Sequence, residues 1–75
     1  MTYDEFVERI SWGDEICFYY NDDKYWISQT PGKCYLTRSK DRYTQEFDSA
    51  EELFKYGRVE GKSILEIWDS IKDQL

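Results

Sequence analysis

The chain has 75 residues and carries 16 acidic and 10 basic side chains, for a formal net charge of −6 at pH 7. This length is enough for one small domain, residues 1–75. No segment approaches the roughly 18 consecutive apolar residues of a membrane span, and no basic-then-apolar leader is visible, so we expect neither a membrane helix nor a signal peptide. Histidine is absent, which excludes His-based catalysis and His metal ligands. The negative charge disfavours sequence-independent binding to nucleic acid.

Aromatic residues make up 19% of the chain: seven Tyr, four Phe and three Trp. Charged residues make up 35%, a fraction that is also found in disordered chains. Because large rings bury much apolar surface, the aromatic content favours a folded domain with an aromatic-rich core.

The first predicted element is a short helix that begins after Thr2. The segment from Thr2 to Glu5 has the pattern of a capping box, in which the two side chains satisfy free amides at the helix start. Apolar side chains then recur at helical spacing, and Gly13 is suited to end the helix in a left-handed conformation. The predicted apolar stripe consists of Tyr3, Phe6, Val7 and Ile10.

Four short segments rich in β-forming residues follow the helix. They are separated by turn-forming segments at 21–24, 30–33 and 39–42, and Pro31 followed by Gly32 suits a type II turn. Short strands joined by tight turns indicate an antiparallel meander. The predicted strands are residues 15–20, 25–29, 34–38 and 43–47.

Two more helices complete the predicted α+β fold. Ser49 to Glu52 forms a second capping-box pattern before a helix that ends at Gly57, with Leu53 and Phe54 facing inward. Ser63 to Glu66 is a third such pattern. The last helix should bury one broad stripe, made of Ile64, Leu65, Ile67, Trp68, Ile71 and Leu75.

The turns also predict which side chains share a face of the sheet. Two central residues in each turn define four cross-strand pairs: Tyr20 with Tyr25, Phe18 with Ile27, Ile27 with Leu36, and Cys34 with Phe47. One face then carries the core residues Ile16, Phe18, Tyr20, Tyr25, Ile27, Cys34, Leu36 and Phe47. The opposite face carries Cys17, Tyr19, Trp26, Ser28, Tyr35, Thr37, Thr44 and Glu46. A slip of one residue would exchange the two faces.

The two cysteines, Cys17 and Cys34, fall on opposite faces in this register. Side chains that point in opposite directions cannot form a disulfide without backbone movement. Two cysteines are also too few to stabilise a small secreted fold. We therefore expect reduced thiols and a cytoplasmic location.

No segment of the sequence predicts catalysis, a cofactor or a metal site. Gly61-Lys62-Ser63 resembles the end of a phosphate-binding loop, but Tyr56 stands where that motif needs its first glycine, so Ser63 is better read as a helix cap. No histidine is present to activate a cysteine or serine, the 16 scattered acids do not single out a catalytic pair, and Asp22-Asp23 lacks the spacing of a calcium loop. The sequence therefore predicts a protein that is not an enzyme.

Aromatic residues on the non-core face are the first candidate binding site. Tyr19 and Trp26 are predicted to be cross-strand neighbours, with Tyr35 nearby. Such rings can contact a protein partner, stack on single-stranded bases, or only stabilise the hairpin. The surrounding residues 21–44 carry five basic and three acidic side chains, which leaves a charge of −8 on the rest of the chain.

Acidic residues of the last helix are the second candidate. Glu66, Asp69 and Asp73 recur at spacings that form one line on the helix exterior. A row of carboxylates can imitate a phosphate backbone and occupy a basic channel, or it can simply keep the surface solvated. Lys62 and Lys72 interrupt the row.

Four segments together resemble small uncharacterised proteins of bacteria and mobile elements: residues 25–27, 35–38, 46–54 and 61–68. In size, charge and order of elements the chain is also similar to phage-encoded anti-CRISPR inhibitors. Many of those proteins block the nucleic-acid-binding or nuclease surface of an effector complex. The resemblance implies a class of mechanism and assigns no residue.

Together these features predict a non-catalytic acidic protein that inhibits a nucleic-acid-handling partner, such as a CRISPR effector, by occlusion. The predicted partner is a protein with a basic surface, with no direct contact to nucleic acid or membrane, and the chain is expected to be a monomer or weak homodimer. A toxin-neutralising or adaptor module is one alternative. A weak binder of single-stranded nucleic acid is another. The predicted contact residues are Glu66, Asp69, Asp73, Tyr19, Trp26 and Tyr35.

Overall fold

The computed structural model describes residues 1–75 and has the predicted α+β architecture. A four-stranded antiparallel sheet has the strand order β1-β2-β3-β4, so it is a meander. Three helices accompany it, one before the sheet and two after it. The elements are α1 (Tyr3–Ser11), β1 (Ile16–Tyr20), β2 (Asp23–Thr30), β3 (Lys33–Arg38), β4 (Tyr43–Phe47), α2 (Ala50–Tyr56), α3 (Ile64–Ile71) and a 3-10 turn (Lys72–Gln74).

The capping boxes predicted for α1 and α3 are both confirmed. Thr2 Oγ1 accepts a hydrogen bond from the Glu5 amide at 3.1 Å, and the Glu5 carboxylate accepts one from the Thr2 amide at 3.0 Å. Ser63 and Glu66 repeat this arrangement at 3.2 and 2.9 Å. These reciprocal bonds satisfy amides that the first helical turn leaves free.

Helix α2 has only half of its predicted capping box. Ser49 Oγ accepts a bond from the Glu52 amide at 3.2 Å, but the Glu52 side chain does not return one. The helix ends at Gly57 as predicted, with a φ of −64°. Glycine is needed there because a Cβ would lie 2.5 Å from the carbonyl oxygen of Leu53.

The first hairpin differs from the predicted register. Asn21 and Asp22 are its two central residues, with φ of +50° and +68°, which only a short polar residue or glycine adopts readily. Tyr20 therefore pairs with Asp23, and the predicted pairs of Tyr20 with Tyr25 and Phe18 with Ile27 are wrong by two positions. A shift of two leaves every side chain on its predicted face.

The other two hairpins have the predicted register. Ile27 pairs with Leu36, and Cys34 pairs with Phe47. Gly32 has a φ of +83°, as the second central residue of a type II turn requires.

The core lies between the sheet and the helices, and the molecule measures only 30 × 29 × 18 Å, as expected for two layers. Leu65 is the exception in the predicted α3 stripe, because it is 59% exposed. Val59, in the loop before α3, is fully buried although the sequence did not predict it. The core residues are Phe6, Ile10, Phe18, Tyr25, Ile27, Cys34, Leu36, Ala50, Leu53, Phe54, Val59, Ile64, Ile67 and Ile71.

Aromatic rings connect the three helices. Tyr3 of α1 makes edge-to-face contacts with Phe54 of α2 and Trp68 of α3, at centroid distances of 5.9 and 5.5 Å. Phe6 contacts the same two rings. A short helix such as α1 has little stability alone, so these contacts hold it in place.

Two glutamine side chains attach loops to the covered face of the sheet. Gln45 of β4 binds the backbone of Arg58 twice: its Nε2 donates to the carbonyl at 2.7 Å, and its Oε1 accepts from the amide at 2.9 Å. Gln29 of β2 donates to the carbonyls of Ile10 and Asp14 at the end of α1. Both loops flanking the sheet are thereby fixed by side-chain amides.

A third glutamine acts at the edge of the sheet. Gln74, in the 3-10 turn, accepts from the Tyr19 amide at 2.6 Å and donates to the Tyr19 carbonyl at 2.7 Å. Strand β1 is an edge strand, so these are backbone groups that no neighbouring strand can pair. The Gln74 amide takes the place that a further strand would occupy.

None of the helices has the length and apolar character needed to cross a bilayer. Cys17 is exposed and Cys34 is buried, and both are free thiols. The predicted placement of the two cysteines on opposite faces is therefore confirmed.

Candidate functional site

The face of the sheet that points away from the helices is the main candidate site, and we call it the open face. Its side chains come from alternate positions of all four strands, and none belongs to the core cluster formed with the helices. Tyr19 is 55% exposed, whereas Trp26 and Tyr35 are partly buried. The structure thus places all three predicted aromatic residues on this one face.

The predicted direct pairing of Tyr19 with Trp26 is wrong. Tyr19 lies opposite Lys24, and Trp26 lies opposite Cys17. The two rings are therefore diagonal neighbours across β1 and β2, and diagonal positions lie about 7–8 Å apart. The two-residue shift of the first hairpin is the cause, because it moves Tyr19 and Trp26 from opposite positions to diagonal ones.

Thr37 is the most buried residue of the open face. Only 5% of this residue is exposed, although no helix lies over it. Its cross-strand partners are Trp26 and Thr44, and the Thr37 and Thr44 hydroxyl oxygens are 3.1 Å apart. Neighbouring side chains of the open face therefore cover Thr37.

Charge on the open face is low. Lys24, Lys33 and Glu46 are its charged residues within the strands. Lys33 Nζ lies 2.6 Å from an Asp48 carboxylate oxygen and 3.5 Å from one of Glu46, and its bond to Asp48 raises the pKa of Lys33. Lys24 makes no ion pair, so it is the free cation of this face.

The predicted acidic row is partly used by the fold itself. Hydrogen bonds from Ser63 lower the pKa of Glu66, whose carboxylate caps α3. Asp69 is 92% exposed and lies 3.3 Å from Lys72 Nζ. Asp73 lies beyond the end of α3, in the 3-10 turn. The three residues therefore do not form a row of equivalent free carboxylates.

The acidic residues and the aromatic residues occupy different surfaces. Glu66 and Asp69 belong to α3, which packs on the covered face of the sheet. Asp73 is the exception, because the next residue, Gln74, binds the backbone of Tyr19. Among the three acids of the predicted row, only Asp73 is next in the chain to a residue that contacts β1.

Two cavities have linings drawn mainly from residues outside the open face. A cavity of about 390 Å³ includes Lys33, Cys34, Asp48 and Ser49 in its lining. Burial raises the pKa of the Cys34 thiol, which disfavours the reactive thiolate. A second cavity of about 320 Å³ lies beside Tyr25 and Arg38. No group of three acidic or cysteine side chains has a metal-binding arrangement.

Sequence reasoning missed Thr37 and Gln74 as parts of this surface. Thr37 was placed on the correct face, but its burial depends on how the neighbouring side chains pack. Gln74 follows the predicted helix and has no pattern of its own. The signal that could have indicated it is that β1, as the first strand of a meander, needs protection at its free edge.

Comparison of the chain with protein-family models, curated proteins and solved structures gave no match. The site is therefore interpreted from its own residues.

Proposed function

We propose that this protein is a non-catalytic binding protein that inhibits a nucleic-acid-handling partner, and that the open face is its contact surface. The observation that carries the proposal is the uncovered aromatic patch of Tyr19, Trp26 and Tyr35 on a sheet whose other face holds the core. Aromatic side chains in such positions commonly supply much of the binding energy of protein interfaces. The sheet also makes the patch rigid, which reduces the entropy lost on binding.

The net charge of −6 supports a partner with a basic surface. Residues 21–44 have a net charge of +2, and the rest of the chain carries −8. The excess acid lies mainly on the helical elements, away from the apolar patch. A field of this kind steers the protein toward a basic partner. Once bound, it repels nucleic acid from the same partner, which is how occlusion would inhibit it.

The class of mechanism is that of the anti-CRISPR inhibitors that the chain resembles in size and charge. A partner such as a CRISPR effector has the basic channel that this charge distribution suits. A toxin-neutralising or adaptor module would use the same open face against another protein. The proposed location is the cytoplasm, which agrees with the free thiols of Cys17 and Cys34.

A second function, weak binding of single-stranded nucleic acid, is favoured by one observation. Lys24 lies on the open face beside Tyr19 and makes no ion pair. A cation next to exposed rings is the arrangement on which single-stranded bases stack. The overall charge of −6 opposes this function.

The proposal is tested by capture from a lysate with immobilised protein. We expect the wild type to retain a partner and the double variant Tyr19→Ala with Trp26→Ala to lose it. Trp12→Ala is the matched control, because Trp12 is 71% exposed but lies at the end of α1. The captured protein should bind its nucleic acid less well when the wild type is added. Equal capture by the double variant, or unaltered nucleic-acid binding, would contradict the proposal.

The contribution of charge is tested with Asp69→Lys and Asp73→Lys. Glu66 is left intact because its carboxylate caps α3. These changes should slow association and reduce its salt dependence, since steering by charge is screened by salt. The nucleic-acid alternative predicts quenching of fluorescence by a short oligothymidine, lost in Trp26→Phe. An unquenched wild type at low salt would remove that alternative.

A further inference from the structure

The cavity beside Tyr25 lies on the covered side of the sheet and is distinct from the open face. Tyr25, Arg38 and Tyr43 form one row across β2, β3 and β4, because Arg38 pairs with both tyrosines. Arg58 and Glu60, from the loop before α3, contribute to the opposite wall. The volume of about 320 Å³ is at the lower end of the range for small-molecule sites.

The Tyr25 hydroxyl donates to no acceptor, although Tyr25 is only 2% exposed, and the polar group beside it is the Arg38 guanidinium, which can only donate. Its ring is stacked on Phe18 at a centroid distance of 5.6 Å, which fixes its position. Burial raises the pKa of this hydroxyl, and the neighbouring Arg38 guanidinium opposes the rise. A buried hydroxyl that is left unpaired is unfavourable. Its O–H makes no bond to the Glu60 carboxylate of the same lining, so an acceptor that enters the cavity would satisfy it.

Both arginines that line the cavity are held in place and retain unused donors. Arg38 donates through Nε and Nη2 to the two carboxylate oxygens of Asp41, at 3.0 and 2.6 Å, and the same guanidinium lies beside the Tyr25 hydroxyl. Arg58 donates through Nη1 to the carbonyls of Gly57 and Lys55, at 2.9 and 3.2 Å. Its Nε and Nη2 make no bond. Fixed guanidinium groups of this kind suit carboxylate and phosphate groups.

Acceptors in the cavity are few. Glu60 is the one acidic residue of the lining, and its Oε2 already accepts a bond from Asn21 Nδ2 at 3.0 Å. The Gln45 amide is used by the backbone of Arg58. The lining therefore has more hydrogen-bond donors than acceptors. A ligand that fits it is a small group rich in acceptor oxygens.

We infer that this cavity binds a small oxyanion, a carboxylate or a phosphate, through the Tyr25 hydroxyl and the free guanidinium donors of Arg38 and Arg58. The ligand would lie toward the arginine side of the cavity, away from Glu60. This inference is independent of the proposed function, because it uses no residue of the open face.

Thermal unfolding in acetate, phosphate and chloride at equal ionic strength tests the inference. We expect acetate or phosphate to raise the unfolding temperature of the wild type above its value in chloride, because a ligand of the folded state stabilises it. Phosphate also stabilises proteins in general by exclusion from their surface. Tyr25→Phe separates the two effects, because it removes the hydroxyl and keeps the ring.

In Tyr25→Phe the anion-specific rise should be lost, while the unfolding temperature in chloride should equal or exceed that of the wild type. Tyr56→Phe is the matched control, because Tyr56 is 55% exposed and does not line the cavity, so it should keep the rise. A rise in acetate alone identifies a carboxylate site, and a rise in phosphate alone identifies a phosphate site. An equal rise in wild type and Tyr25→Phe, no rise in the wild type, or a less stable Tyr25→Phe in chloride would overturn the inference.

Discussion

Phe18 and Tyr19 are consecutive aromatic residues of β1, yet they have opposite environments. Phe18 is 1% exposed and stacks on Tyr25 within the core, whereas Tyr19 is 55% exposed on the open face. The difference arises from the alternation of side chains along a strand and from the placement of all three helices on one side. Apolar content alone therefore does not define the core of this protein. The layer that covers a ring determines whether it contributes to stability or remains available for binding.

The largest expected difference in unfolding free energy is between variants that truncate Phe18 and Tyr19 one at a time. Phe18→Ala should cost about 3–5 kcal/mol of unfolding free energy, because it leaves a cavity in the core. Tyr19→Ala should cost less than about 1 kcal/mol, because most of the ring is in water. Urea unfolding of the two variants measures both values. Comparable losses would show that the open face acts as a second core.

A smaller effect is expected on β4, where Gln45 and Thr44 face opposite sides. Gln45→Ala removes two hydrogen bonds to the Arg58 backbone and should cost about 1–3 kcal/mol, at about 0.5–1.5 kcal/mol for each bond. Thr44→Val removes the hydroxyl contact with Thr37 and an exposed 3.3 Å bond to the Arg42 carbonyl. Water can replace the exposed bond, so the change should cost about 0.5–1.5 kcal/mol. Denaturant unfolding gives both losses. If Thr44→Val is the more damaging change, the open face contributes more to stability than the loop attachment.

The smallest expected effect is on the pH dependence of stability, and it comes from the ion pair between Arg38 and Asp41 at the end of β3. The Arg38 guanidinium lowers the pKa of Asp41 to about 2 from its ordinary value of 3.8. Because this pKa is lower in the folded state, the contribution to stability is present above about pH 4 and is lost as the pH falls toward 2. Asp41→Asn should flatten the decline in stability between pH 4 and 2. An unchanged pH profile in that variant would show that other carboxylates account for the acid sensitivity.

Local patterns predicted most of the fold. Thr2 with Glu5 and Ser63 with Glu66 satisfy the helix starts by contacts three residues apart, so the sequence contains all the required information. Strand alternation also predicted which side chains lie on each face of the sheet. This assignment is correct although the register of the first hairpin is wrong, because the shift is two residues. That error arose because the turn is formed by Asn21 and Asp22 in left-handed conformations. The segment 21–24 contains several polar residues, so the sequence did not indicate which two are the central ones.

The contacts between distant segments could not be predicted in the same way. Gln29, Gln45 and Gln74 each bind backbone groups that are at least 13 residues away in the chain, and glutamine has no local signature for this. Leu65 fits the helical stripe but lies at its margin, where packing against the sheet stops. The unpaired Tyr25 hydroxyl is likewise visible only when the surrounding side chains are in place.

The Gln74 amide at the edge of β1 has a consequence for assembly. With its Tyr19 groups occupied, β1 cannot accept a strand from another molecule along its full length. Strand β4 forms the other edge of the sheet, where the side-chain bond to the strand backbone is a local one, from the Tyr43 amide to Asp41 Oδ1 at 3.2 Å. A sheet that adds strands on one side only can close a pair of molecules, but it cannot extend into a fibre, because each fibre subunit needs two open edges. The two bonds of Gln74 therefore disfavour polymerisation of this aromatic-rich sheet through the edge of β1.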